Sequence, residues 1–312
     1  MKKFRVLFMG TPDFAVPCLA RLVNIADVIG VVTQPDKPKG RGQRLLPPPV
    51  KFFAVEHGLP IYQPIRVKTA EFVGKLKELA PDLIVVVAFG QILSREILSI
   101  PRLGCINVHA SLLPRYRGAA PIQWAIVRGE KETGVTTMFM DEGLDTGDML
   151  LKKSLPITAD MTAAELHDKM MELGADVLEK TLTELSTGTL RRIPQDDAAS
   201  TYAPLLSKST GHIAWDKSAQ EIHDLVRGLN SWPGAYSTLR GKTFKIWRTK
   251  VVDGETAATP GEIISQTKTG LLVAAGRGTL EIIELQAPNG KKMTANDYIR
   301  GHGLEIPARF DF

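Results

Sequence analysis

A chain of 312 residues is longer than one ordinary small domain, and its length predicts two. With 44% hydrophobic and 23% charged residues it can bury a proper core, which excludes global disorder. A formal charge of +5 permits a nucleic-acid partner without requiring one.

The chain opens on the basic stretch Met1-Lys2-Lys3-Phe4-Arg5 and the apolar residues 6–9. Gly10-Thr11-Pro12-Asp13 breaks that run at once, so no signal peptide is expected. No stretch reaches the roughly 18 apolar residues of a membrane helix. Cys18 and Cys105 suggest no disulfide framework, and the six histidines lack ligand spacing. The expectation is a reducing cytoplasm, no membrane and no metal.

Short apolar runs then alternate with amphipathic stretches. The runs at 4–9, 28–33, 82–89 and 105–110 are rich in Val, Ile, Leu and Phe and bounded by Gly, Pro or Asp, the pattern of buried parallel strands. Helical periodicity fills 14–25, 67–79 and 121–128. This βαβα order predicts an α/β fold built on an open, doubly wound, mostly parallel, Rossmann-like sheet. A longer amphipathic helix over 162–185, capped by Thr162 or Asp160, closes a first domain of residues 1–186. Residues 187–208, polar and punctuated by Pro194 and Pro204, read as a linker. Beyond it come a helix over 218–230 and five short strands at 236–239, 243–252, 261–265, 270–275 and 279–285. With their Gly-rich turns they predict a small antiparallel OB-like β-barrel domain over 209–312.

Ligands of an open α/β sheet bind beyond the carboxyl ends of its strands. Residues 10–13 follow the first strand but are no Gly-x-Gly-x-x-Gly, and there is no Walker loop, so a dinucleotide cofactor is disfavoured. Asn107 and His109 stand two apart near a strand exit and so face one side of the sheet. An amide donor beside an imidazole can stabilise a developing oxyanion; a satisfied core histidine and a turn-forming asparagine are the alternative. The acidic stretch Asp141-Glu142-Gly143-Leu144-Asp145-Thr146-Gly147-Asp148 lacks calcium-loop spacing. It reads either as a solvated turn or as the source of a carboxylate that fixes the histidine. Spacing leaves both alternatives open.

Asn107-x-His109-x-Ser111-Leu112-Leu113-Pro114, followed by Tyr116-Arg117-Gly118, Pro121-Ile122-Gln123-Trp124 and then Asp145-Thr146-Gly147, resembles the formyltetrahydrofolate-dependent formyltransferases. The resemblance implies Asn107, His109 and Asp145 as the catalytic set. It implies a folate site that includes Ser111, Leu112, Leu113 and Pro114, with Phe89, Gly90, Gln91 and Ile92 lining the pterin pocket. The implied co-substrate is 10-formyltetrahydrofolate, without a metal. The stretches at 8–17 and 33–42 are similar to the branch of the family whose acceptor is methionyl-tRNA, and they imply that acceptor, a tRNA-binding role for the barrel, and a monomer. A sugar-nucleotide N-formyltransferase using the same donor is the alternative.

The segment 34–49 also speaks physically. Between Pro35 and Lys51 five basic residues (Lys37, Lys39, Arg41, Arg44, Lys51) face the single acid Asp36, a net +4. Glycines and prolines predict a mobile, extended loop. A solvated face is the ordinary reading of such a run. Its position after the second strand makes Lys37, Lys39, Arg41 and Arg44 candidates for tRNA contacts. Residues 201–312 carry 14 Lys and Arg against 11 Asp and Glu, a weak +3.

Overall fold

The structure is a computed structural model that describes residues 3–39, 44–252, 254 and 256–311. The chain forms two compact units, each assembled from separated stretches: 1–118, 133–155 and 167–202 make the first, and 119–132, 156–166 and 203–312 the second.

In chain order the elements of the first part are β1 (Arg5–Gly10), α1 (Val16–Ile25), β2 (Asp27–Val32), β3 (Lys37–Lys39), β4 (Arg44–Leu46), α2 (Pro49–Glu56), β5 (Ile61–Tyr62), α3 (Ala70–Leu79), β6 (Leu83–Val87), α4 (Arg95–Leu98), β7 (Cys105–His109), β8 (Arg117–Gly118), α5 (Pro121–Val127), β9 (Glu132–Phe139), β10 (Met149–Pro156) and α6 (Ala163–Thr187). Seven strands make one sheet in the order β10-β9-β7-β6-β1-β2-β5. The pairs β1–β2, β1–β6, β2–β5 and β6–β7 are parallel, and β7–β9 is antiparallel. Every residue of β6 is buried, as is all of β1 after Arg5, because central parallel strands are covered on both faces. Leu7, Met9, Val32, Ile84 and Val86 pack on Phe72, Val73 and Leu76 of α3. Thr69 caps α3 by accepting the Phe72 amide, which moves the start of the expected helix to Ala70.

The expected parallel sheet is present, with three strands that the apolar runs did not reveal. In β9 the buried residues include Thr136 and Thr137, both fully enclosed. Thr136 Oγ1 donates to the Ser111 carbonyl at 2.7 Å, and Thr137 Oγ1 lies 2.7 Å from Thr181 Oγ1. Satisfied threonines make a core strand look polar. β5 has two residues and β10 turns charged halfway, so neither shows a run. The segment 34–49 is a further correction: β3 and β4 pair as an antiparallel hairpin, Lys37 opposite Leu46, and α2 follows directly.

The second unit holds α5, α7 (Ala219–Gly228), β12 (Ala235–Leu239), β13 (Lys242–Val252), β14 (Glu262–Gln266), β15 (Leu271–Ala274), β16 (Thr279–Gln286), β17 (Lys292–Thr294), α8 (Ala295–His302) and β18 (Ala308–Asp311); the two-residue strand β11 (Tyr202–Ala203) stands between α5 and α7 in the chain. Among the described residues six strands close a barrel in the order β13-β12-β18-β14-β15-β16, with β16 returning to β13. The sequence offered five. The sixth, β18, has one deeply buried residue, Phe310, which stacks on the buried Trp215 with ring centroids 5.2 Å apart. One apolar residue in an Ala-Arg-Phe-Asp alternation carries too little signal to be read as a strand.

In this unit Arg227 of α7 and Asp224 form a buried pair at 2.7 Å, and Arg227 Nη1 donates to the carbonyls of Thr158 and Met161. Thr162 and Glu165 exchange hydrogen bonds in a capping box, so Thr162 and not Asp160 caps α6. No helix among the described residues is long and apolar enough to cross a membrane.

Candidate active site

Alternation along β7 sends Asn107 and His109 to the same side at the strand's carboxyl end. His109 is buried, and its Nε2 lies 2.9 Å from the Tyr116 carbonyl. A carbonyl oxygen can only accept, so this bond keeps a proton on Nε2 and leaves Nδ1 as the nitrogen open to chemistry. The turn that brings Tyr116 back is closed by Ser111 Oγ, which donates to the Arg115 carbonyl at 2.6 Å. Tyr116 N donates to Thr201 Oγ1 at 2.8 Å.

Asp145 comes from the loop between β9 and β10 and adopts a left-handed backbone, φ +54°. Its Oδ2 accepts from Gly118 N at 2.8 Å and lies 3.7 Å from His109 Nδ1. Its Oδ1 accepts from Asn107 Nδ2 at 3.5 Å. The Asp145 carboxylate thus meets both of the other residues singled out in the sequence. The firm tie among these contacts is the Gly118 amide; the distance to the imidazole exceeds a hydrogen bond and becomes an ion pair when the ring is doubly protonated.

The loop itself is pinned. Asp141 Oδ1 accepts from Gly143 N at 3.0 Å and from Thr146 Oγ1 at 2.6 Å. A Cβ on Gly147 would stand 1.9 Å from the Phe139 carbonyl oxygen, so nothing larger than glycine fits. Gln195 Nε2 donates to the carbonyls of Asp145 and Gly147, both at 2.8 Å, and its Oε1 accepts from Arg117 Nε at 3.0 Å.

The residues expected around the folate divide into two groups. Ser111 and Leu113 are buried and build the loop: Leu113 packs with Met138 and Met149, its amide donates to Thr136 Oγ1 at 3.1 Å, and its carbonyl accepts from Lys152 Nζ at 2.6 Å. Burial draws the Lys152 ammonium below its ordinary pKa. Leu112 and Pro114 are half-buried and can meet a ligand. Phe89 points into the core, and its carbonyl accepts from Thr11 Oγ1 and Gln34 Nε2. Gln91 is engaged with the backbone of Val67 and Pro64. Gly90, at φ +83°, and Ile92 are exposed.

Of the basic candidates, Lys37 is exposed on β3. Arg41 lies outside the described residues, as do the side chains of Lys39 and Arg44. Lys51 reaches Asp36 at 2.8 Å. That pair cancels, so the net +4 of the segment resides in Lys37, Lys39, Arg41 and Arg44. Leu45, Phe52 and Val55 are exposed alongside. Burial pushes the thiols of Cys18 and Cys105 up to about 12, so neither supplies a thiolate near neutral pH.

Sequence reasoning missed the Tyr116 carbonyl, the Gly118 amide and Gln195. Backbone groups leave no residue-type signature, and Gln195 stands in the segment read as a linker.

Comparison with known proteins places the chain in a family. The Formyl transferase family model matches residues 2–182, and that of the Formyl transferase C-terminal domain matches 205–303. A methionyl-tRNA formyltransferase of Ruminiclostridium cellulolyticum is 55% identical over 304 residues, covering 96% of this chain and 97% of its own. One from Geobacter metallireducens is 55% identical over 306 residues, covering 98% of each. Among solved structures, the N-formyltransferase of Helicobacter canadensis, in complex with folinic acid and dTDP-3-aminofucose, superposes with a TM-score of 0.68 at 20% identity, over 91% of this chain and 99% of that one; at that identity the likeness concerns the fold alone. Matched over both of its parts and at this identity to full-length relatives, the chain belongs to the formyl transferase family, in its methionyl-tRNA formyltransferase branch.

Proposed function

We propose that this protein transfers the formyl group of 10-formyltetrahydrofolate to the α-amino group of initiator methionyl-tRNA, with Asn107, His109 and Asp145 as its catalytic residues. The observation that carries the reading is the convergence of Asn107 and His109 on the Asp145 carboxylate at the carboxyl end of β7. Likeness to methionyl-tRNA formyltransferases over nearly the whole chain supports the acceptor.

In the reaction the amine nitrogen bonds to the formyl carbon, and the bond from that carbon to N10 of the folate breaks. The amine gives up one proton and N10 gains one. Between these events the formyl oxygen carries negative charge. Asn107 Nδ2 donates a hydrogen bond to that oxygen, worth about 3–4 kcal/mol for a well-aimed donor. His109 acts through Nδ1, because Tyr116 occupies Nε2. When protonated there, His109 donates to the oxyanion and passes its proton to N10. Asp145 accepts the proton of the amine, directly or through a water. No covalent enzyme intermediate is required.

Leu112, Pro114 and the backbone around Gly90 suit the edge of a flat heterocycle, and Ser111 and Leu113 shape the turn that presents them. Lys37, Lys39, Arg41 and Arg44 supply cations for the acceptor's phosphates. The division of labour we infer gives catalysis to residues 1–186 and a tRNA-binding surface to the barrel, 209–312. The enzyme works in the cytoplasm as a monomer.

The test offers the full chain 10-formyltetrahydrofolate with methionyl-tRNA, a 4-amino sugar nucleotide or glycinamide ribonucleotide. Formylation of methionyl-tRNA alone is expected; turnover confined to the sugar nucleotide would transfer the protein to that other branch.

A further inference from the structure

We propose that Gln195 is a positioning residue that holds Asp145 in its working conformation, an inference that rests on the catalytic role given to Asp145 above. Asp145 sits at φ +54°, a backbone state that a non-glycine residue keeps only when its surroundings enforce it. Its side chain is anchored by the Gly118 amide. Its main chain is anchored by Gln195, whose Nε2 donates to the carbonyls of Asp145 and Gly147 and so grips the turn on both sides of Thr146.

The other end of the same amide completes a ring. Gln195 Oε1 accepts from Arg117 Nε, and Arg117 precedes Gly118, whose amide returns to Asp145 Oδ2. Arg117 Nη2 is held in turn by Asp197 at 2.7 Å. Residues 191–199 are otherwise exposed, and Gln195 is the half-buried one. The strand-like stretch before it is fixed to the same loop. Ile193 and Met149 exchange backbone hydrogen bonds at 2.8 and 2.9 Å, and Arg192 pairs with Asp148 at 2.9 Å. The ring needs two donor hydrogens and an acceptor side by side on one terminal group, as in the amide of glutamine. Glutamate has the shape but would set a carboxylate oxygen against two carbonyls. Alanine offers nothing to either side.

The test compares Gln195→Ala and Gln195→Glu with Asp145→Ala in the full-length enzyme. It reads kcat, KM for each substrate, affinity for 5-formyltetrahydrofolate and the thermal midpoint. Loosening the turn should lower kcat about 10–100-fold with each KM nearly unchanged, since small misplacements cost that much. The midpoint should stay within about 3 °C, and folate-analogue affinity should hold. Adding Gln195→Ala to Asp145→Ala should slow the enzyme no further, because both act on one group. A Gln195→Glu enzyme with wild-type kcat beside an inactive Asp145→Ala overturns the brace alone. Full additivity in the double variant, or loss of the folded transition in both Gln195 variants, overturns it too, because the role would then be general stability. Wild-type turnover in Asp145→Ala removes the assignment of Asp145, and this proposal falls with it.

Discussion

At the scale of single residues the site is an arrangement of few atoms around one carboxylate. Asp145 meets an amide hydrogen, an asparagine and an imidazole nitrogen, and the imidazole is held on its other side by the Tyr116 carbonyl. Replacing Asn107, His109 or Asp145 with alanine should lower kcat by at least about 100-fold, with smaller changes in KM, the size expected for losing an oxyanion donor or a proton acceptor. Steady-state kinetics on both substrates checks this, and near-normal turnover in His109→Ala would rule out a mechanism that runs through its Nδ1. The three losses should not add, since groups that act together fail together. These residues were legible because their chemistry lies in side chains that recur in a recognisable run. What fixes them was not: the histidine tautomer is set by the Tyr116 carbonyl and the aspartate by the Gly118 amide, main-chain atoms that carry no side-chain signature.

At the scale of elements, the basic hairpin β3–β4 is where the proposed tRNA acceptor can be tested against a sugar nucleotide. If its cations neutralise tRNA phosphates, the fourfold variant Lys37→Ala, Lys39→Ala, Arg41→Ala, Arg44→Ala should flatten the dependence of log kcat/KM on log salt. The expected change is roughly 0.7–0.9 of slope for each phosphate no longer neutralised. Parallel salt plots for variant and wild type would mean that the hairpin is only a solvated face. The root of the hairpin should respond to pH. A hydrogen bond from Gln63 and then the Lys51 ammonium hold the Asp36 carboxyl below the usual carboxylate range. Because the folded value is the lower one, the stabilisation is complete above about pH 4 and fades as pH falls through that lower value. The thermal midpoints of wild type and Asp36→Asn should therefore differ at about pH 6 and draw together towards about pH 3. A gap that stayed constant would count against the pair. Strands β1 and β6 announced themselves by unbroken apolar runs. By contrast β9 hid behind threonines whose hydroxyls are satisfied inside, and β18 behind its single buried phenylalanine.

At the scale of the molecule, composition and the change of pattern near residue 200 made two parts legible, but not how the chain shares itself between them. It passes from one unit to the other five times, after residues 118, 132, 155, 166 and 202. A fragment ending at 186 would keep α5 and residues 156–166 without Leu225, Arg227 and Leu229, against which they pack, and would lack Gln195. Such a fragment should show no cooperative thermal transition and weak folate-analogue binding; a sharp transition with full affinity would mean that these stretches are dispensable. The same threading sets a timetable for the nascent chain. Residues 119–132 and 156–166 leave the ribosome well before 203–312, which need roughly 5–20 s more at ordinary elongation rates. For that interval Ala120, Trp124 and Val127 lack Leu206, Leu225 and Leu229, on which they pack. The enzyme is therefore born with a sticky waiting period, and slowing its release should leave it more dependent on chaperones that shield such surfaces.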